Sequence, residues 1–212
     1  MTGEKIYVIR PSGTPELPAR LSVAAGESLR VTFLVLPGAD LSLPLEVELT
    51  APGARVELNG LYLGAGAEQV DFRVTLRHSA SDTVSRQLFK GIASGRAHAR
   101  YYGRVIVDGG LRAIDAAQES HHLLLSPEAR VETLPQLEIY SDDVQCSHGT
   151  SVGALDEQEQ FYLRSRGVPL QEARALQMLS FLSPVLSGIG DPALREEMQA
   201  EAEQAVRKLS GI

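Results

Sequence analysis

Cys146 is the single cysteine of the chain, and His148 follows it two residues later in "DDVQCSHGTSVG". A thiolate and a neutral imidazole both bind iron or zinc. Side chains two apart on an extended segment point to the same side, so this pair can reach a common point. Two ligands leave an iron centre incompletely coordinated, and a partner would have to supply the others. The competing expectation is a free thiol and a hydrogen-bonded histidine in the turn by which the chain leaves a β body, with Asp142 and Asp143 as its hydrogen-bonding turn residues. A second group is Glu119-Ser120-His121-His122. On a strand, Glu119 and His121 share a face while His122 points the other way. A two-histidine, one-carboxylate metal site there needs His148 or His98 brought close by the fold; without them, these are solvated or stacked histidines. Arg96, His98, Arg100 and Arg104 line one strand face, either an anion site or a solvated β surface opposite acidic neighbours. The "GAGAEQ" stretch at Gly64 lacks the Lys-Ser/Thr and the helix of a P-loop. No carboxylate pair stands out as acid and base. The residues therefore point to no active site of the chain's own.

The elements that must position these side chains fall into two halves. From Ser28 to Asp143 the apolar period is two. "QVDFRVTL" sets Val70, Phe72, Val74 and Leu76 against Asp71, Arg73 and Thr75, the alternation of a strand with one buried side. "RAHARYYGRVIVD" repeats it, with Ala97, Ala99, Tyr101, Gly103, Val105 and Val107 on one face. Similar segments cover 29–36, 44–49, 56–63, 84–92, 117–125 and 131–140, with Gly- and Pro-rich links between them. They start roughly every 13 to 19 residues, wider than in a hairpin sandwich. No helical pattern intervenes, which removes βαβ architectures. A sandwich, a jelly roll and an irregular parallel β-helix remain open on spacing alone.

After Gly153 the period becomes helical. Asp156 with Glu159 three residues on resembles a capping box for "EQEQFYLRSR", which Gly167 closes. Pro169 stands at a first helical position for "LQEARALQMLSFL", with Pro184 and Gly188 ending it. Asp191-Pro192 opens a third helix, whose Leu194, Met198, Ala202, Ala205 and Leu209 make one apolar stripe. The middle helix is apolar over much of its girth, so it is either buried within the chain or covered by a partner. The expected organisation is a β body over 1–153 and a helical domain over 154–212.

Composition sets the outer bounds. The chain has 212 residues, 43% hydrophobic and 22% charged, enough for a sizeable core. A formal charge of -7 speaks against a nucleic-acid or anionic-membrane surface as its main business. No apolar run approaches the roughly 20 residues of a membrane span, and the first residues lack the layout of a secretory signal. One cysteine forms no internal disulfide, which fits a reducing cytoplasm.

Three separated blocks, "SRQLFKGIASGRAHARYYGRVIV", "AQESHHLLLS" and "LPQLEIYSDDVQCSHGTSVGALDEQEQFYLRSRGV", resemble the SufB/SufD family of the SUF iron–sulfur cluster assembly system in order and wording. The resemblance is strong over 84–168, weaker in the tail, and a matter of strand pattern before Ser79. The Cys-Ser-His-Gly wording is similar to the SufD side. The resemblance implies a right-handed parallel β-helix followed by a C-terminal helical domain. It further implies pairing with a SufB-type subunit, or with a second copy, through the β-helix core, and helices offered to a SufC-type ATPase. A nascent cluster would form transiently at the subunit interface, with none tightly bound to the chain alone. In the family's SufD the cysteine and histidine of this motif lie at that interface, roles that fall here on Cys146 and His148. For the ATPase, the broad apolar surface of the middle helix suggests Leu176, Leu179, Phe181 and Leu182 as anchors.

The sequence also departs from the family. The family's N-terminal region is longer, so a trimmed relative is expected. Glu119-Ser120-His121-His122 replaces an Asn-rich stretch, Leu134 stands where a basic residue is usual, and the SufB-type cluster cysteine has no counterpart. Two alternatives of other classes are a metal-dependent or sugar-active enzyme using Glu119, His121 and His148 on a β-helix or jelly roll, and a homodimeric binding module.

Overall fold

The computed structural model describes residues 2–211. Its strands are β1 (Thr2–Ile9), β2 (Arg20–Val23), β3 (Ser28–Val35), β4 (Leu41–Leu49), β5 (Arg55–Gly64) and β6 (Gln69–His78). They continue with β7 (Val84–Ala93), β8 (His98–Val107), β9 (Arg112–Leu124), β10 (Arg130–Ile139) and β11 (Asp143–Gly153). Odd-numbered strands stack in order into one sheet and even-numbered strands into a second. Every pairing is parallel. The chain winds through one strand of each sheet per coil. Thr2 lies opposite Ser28, 26 residues on, and His98 opposite Arg130, 32 residues on. A coil thus takes about twice the spacing read between neighbouring strands. This is a parallel β-helix, not a sandwich or jelly roll, and it closes the question that spacing left open.

Eight of the strands match the alternating segments of the sequence. β1, β2 and β11 fall outside those segments. Between the sheets, aromatic rings form a staircase drawn from both sides: Phe33 to Phe72 at 6.5 Å between centroids, Phe72 to Phe89 at 5.1 Å, Phe89 to Tyr101 at 4.5 Å. The rings fit because glycines face them. A Cβ on Gly60 would stand 2.3 Å from Phe89, and one on Gly91 would stand 1.8 Å from Tyr62. At one corner the left-handed conformation recurs on successive coils, at Gly26, Gly53, Asp82 and Ala113. There the N–H of Gly53 donates to the Asp82 carbonyl at 2.9 Å and that of Asp82 to the Arg112 carbonyl at 2.9 Å.

Three helices follow: α1 (Glu157–Ser165), α2 (Leu170–Ser187) and α3 (Pro192–Ser210). The Asp156 and Asp191 side chains accept from the first free N–H groups of α1 and α3, as their sequences predict. Pro169 is the N-cap of α2 rather than its first residue, and Pro184 lies inside the helix. Burial of Val185 and Leu186 holds that last turn in spite of the missing N–H.

The apolar girth of α2 is covered from within the chain. Ala175, Met178, Leu182, Val185 and Leu186 share a core with Leu34, Leu61, Leu63 and Ile92 on the outer face of the odd-numbered sheet, and with Met198, Ala202 and Val206 of α3. Arg10 ties α3 to the end of β1 through Glu201 at 2.6 Å and Glu197 at 2.8 Å. Among the described residues, no helix is long and apolar enough to cross a membrane.

Candidate functional site

β11 is the last strand of its sheet and has one lateral neighbour, β9. The register sets Cys146 beside Ala116, His148 beside Gln118, Thr150 beside Ser120 and Val152 beside His122. Neighbours in a parallel ladder share a face. Ala116, Gln118, Ser120 and His122 are buried in the interior, so Cys146 and His148 both face inward. The motif is therefore a strand and not a turn, and the expected common side is the inner one.

Among the described residues no further coil covers β11, and the two side chains differ in environment. Cys146 is half-buried and packs against the inter-sheet core; His148 is exposed. Burial pushes the Cys146 thiol pKa up, the Asp115 carboxylate adds to the rise, and a backbone hydrogen bond from Ala116 opposes it. The thiol is protonated at neutral pH in the chain alone and becomes a good ligand only when a metal displaces its proton.

The interior beneath this end is polar. Gln87, Gln118 and His148 stand in register on β7, β9 and β11. Gln118 Nε2 donates to the Tyr101 hydroxyl at 2.9 Å, which donates to Gln87 Oε1 at 3.2 Å. Among the described residues, Gln118 Oε1 and Gln87 Nε2 have no hydrogen-bond partner. A hydroxyl chain runs alongside. Thr150 is hydrogen-bonded to Thr133 at 3.1 Å and Thr133 to Ser120 at 3.3 Å, Ser120 meets His122 Nε2 at 2.6 Å, and His122 Nδ1 meets the Tyr62 hydroxyl at 2.9 Å. Burial drives the His122 pKa down to about 4, with a further push from His121, so its ring is neutral. Nothing in the sequence marks Gln87, Gln118 or Thr133 as interior, since a polar residue there reads as solvent-facing.

Glu119 and His121 do share a face, but it is the outer one. His121 Nε2 lies 3.3 Å from Glu119 Oε2 and Nδ1 lies 2.8 Å from Ser151 Oγ, so both ring nitrogens are engaged. His148 points to the opposite side of the sheet, and His98 lies on the other sheet with Glu132 at 2.9 Å. Neither histidine that the metal site required is brought to it. Among the described residues, no three His, Cys, Asp or Glu side chains are placed to hold a metal ion. On the basic face, Arg100 pairs with Asp71 at 3.7 Å and Arg104 with Glu138 at 3.5 Å, while Arg96 lies exposed in the turn before β8.

The suggested ATPase anchors divide. Leu182 is fully buried against the sheet and belongs to internal packing, not to a docking surface. Leu179 and Phe181 are half-buried, Phe181 beneath the Lys90 ammonium at 4.4 Å. Leu176 is 43% exposed, and on α1 Tyr162 is 58% and Phe161 73% exposed. A shallow groove between α1 and α2 is lined by Tyr162, Leu163, Leu176 and Gln177.

The family model described as "SUF system FeS cluster assembly, SufBD core domain" matches residues 19–181. The chain belongs to the SufB/SufD family. Its SufBD core takes in the coils from the even-numbered sheet's first strand, β2, through most of α2. Relatives named iron–sulfur cluster assembly protein SufD include one from Escherichia coli, 34% identical over 170 residues, covering 80% of this chain and 40% of the relative. The SufD of Bacillus subtilis is 29% identical over 198 residues, covering 92% of this chain and 45% of its own length. A SufBD family protein of Synechocystis is 33% identical over 182 residues, with 85% and 40% covered. The chain thus spans less than half the length of these relatives, and within the family it is SufD-like.

Proposed function

We propose that this SufBD core serves as a SufD-type scaffold subunit in iron–sulfur cluster assembly, without catalytic activity of its own. In this reading the open end of the coil pairs with a SufB-type subunit or a second copy. The groove between α1 and α2 docks a SufC-type ATPase, and the cluster forms as cargo at the paired end, in the cytoplasm.

The observation that carries the reading is the uncapped last coil. β10 and β11 each have a free lateral edge, and unpaired strand edges invite pairing with another chain. Large apolar side chains stand exposed on the same coil: Leu134 at 53%, Ile139 at 40%, Tyr140 at 65% and Val152 at 42%. His148, on β11 of the same coil, is exposed and free of side-chain hydrogen-bond partners among the described residues. A second subunit seated there would bury those residues and bring its own ligands to His148 and Cys146. The Cys146 thiol, held protonated by burial, must lose its proton before it binds a metal, so the larger share of binding is expected from His148.

The test is cluster content, by absorbance and acid-labile sulfide, in the complex purified from cells carrying His148→Ala or Cys146→Ala. The expected result is an intact complex with severe cluster loss for the first variant and partial loss for the second. Full cluster content in both would refute the site.

A further inference from the structure

The hydroxyl chain beneath β11 runs from Thr150 through Thr133 and Ser120 to the His122 ring and on to the Tyr62 hydroxyl. All of its links are made while His122 is neutral, one ring nitrogen then donating and the other accepting. Ser120, His122 and Tyr62 are 0%, 2% and 3% exposed. Polar groups buried this deeply cost stability unless hydrogen-bonded, and apolar side chains of the same volume would pack there without that cost.

The chain lies where β11 is weakest. As the end strand, β11 is held sideways by β9 alone. Across the coil, Thr150 to Thr133 is the one side-chain hydrogen bond from β11 to β10 among the described residues, and Thr133 to Ser120 continues it back to β9. Thr133 thus joins the three last strands. Thr150 is two residues beyond His148 and four beyond Cys146 on the same inner face.

We infer that Thr133 is a positioning residue: through Thr150 and the Ser120–His122–Tyr62 anchor it fixes β11 across the open coil, and so sets where Cys146 and His148 stand. The use of that placement in cluster assembly rests on the function proposed above; the placement itself does not. The groups facing His122 are the Tyr62 hydroxyl from β5 and Ser120 of its own strand, with Gly91 of β7 and Val152 of β11 its register neighbours. His121, the other ionisable group acting on it, points to the outer face.

The experiment uses the full chain alone, with no partner or cluster, comparing wild type, Thr133→Val and Thr133→Ser. Cys146 is the sole cysteine, so its alkylation by iodoacetamide reports on β11 directly, and amide hydrogen exchange reports on every coil. In Thr133→Val both the alkylation rate and the β11 exchange rates should rise on the order of tenfold, the effect of losing one or two hydrogen bonds. Exchange in β3 to β7 should hold, and Thr133→Ser should restore wild-type behaviour. Unchanged alkylation in Thr133→Val, a uniform rise through all coils, or failure of the serine to rescue would each overturn the inference. Because no cluster is present, none of these results bears on whether His148 holds one.

Discussion

Two histidines are buried neutral in this β-helix, and together they should make it acid-sensitive well above the carboxylate range. His78 is 0% exposed and His122 is 2% exposed. Burial lowers each pKa from 6.5 to about 4. The neutral rings are fully engaged. Thr83 donates to the Ala80 carbonyl, so it accepts from His78 Nδ1–H at 2.7 Å, while Ser85 donates to Nε2 at 2.9 Å. In the unfolded chain both rings take up a proton as pH falls below about 6.5, whereas the folded chain refuses it until about 4. Acidification therefore favours the unfolded state throughout that window, and the loss levels off below it. A gap of about 2.5 in pKa corresponds to ~3.4 kcal/mol per histidine at full titration, of which ~1.8 kcal/mol is expressed between pH 7 and pH 5. The two histidines together should lower stability by about 3.5 kcal/mol over that interval, a large share of a typical domain's margin. Urea unfolding followed by circular dichroism at a series of pH values measures this, with His122→Gln and His78→Gln as controls. Each variant starts less stable at pH 7 but should lose about half of the pH dependence. Stability that is flat from pH 7 to pH 5 in the wild type, or an undiminished slope in both variants, would refute the argument.

Gly91→Ala should destabilise the fold by about 3 kcal/mol or prevent folding, the upper range for overpacking, because the new Cβ would meet the Tyr62 ring at 1.8 Å; thermal melts should show partial recovery when Tyr62→Leu is added, and a melt unchanged by Gly91→Ala would rule out this packing. For the helical face, Leu176→Asp and Tyr162→Ala should each weaken binding of a cognate SufC-type ATPase by roughly thirtyfold in calorimetric titration, the effect of a hot-spot residue, with unchanged affinity in both variants counting against the groove. Point variants serve better than removal of the helices, which would strip the cover from Leu34, Leu61, Leu63 and Ile92.

Local chemistry made part of this molecule legible from the sequence. The faces of β6 and β8 could be read because one side is buried and the side-chain period is two; Val70, Phe72, Val74 and Leu76 are all 3% exposed or less. The caps Asp156 and Asp191 could be read because an N-cap acts on N–H groups within three residues of itself. Resemblance carried the family. Spacing could not choose a β-helix over a sandwich, since both alternate in the same way and differ only in which strand lies beside which.

What depended on the tertiary structure shares one physical cause: contacts between residues about a coil apart. β11 holds few apolar residues, so nothing local marks it as a strand, yet β9 supplies its backbone partners. Gln118, Ser120 and His122 look like solvent-facing residues until the register turns them inward onto Tyr101, Thr133 and Tyr62. Leu182 looked available to a partner until the sheet beneath α2 buried it. The sequence by itself determined which residue types could serve the site and which helix ends were capped. Winding the chain into stacked coils decided which of those residues meet, because a parallel β-helix brings together side chains some thirty residues apart that no local pattern connects.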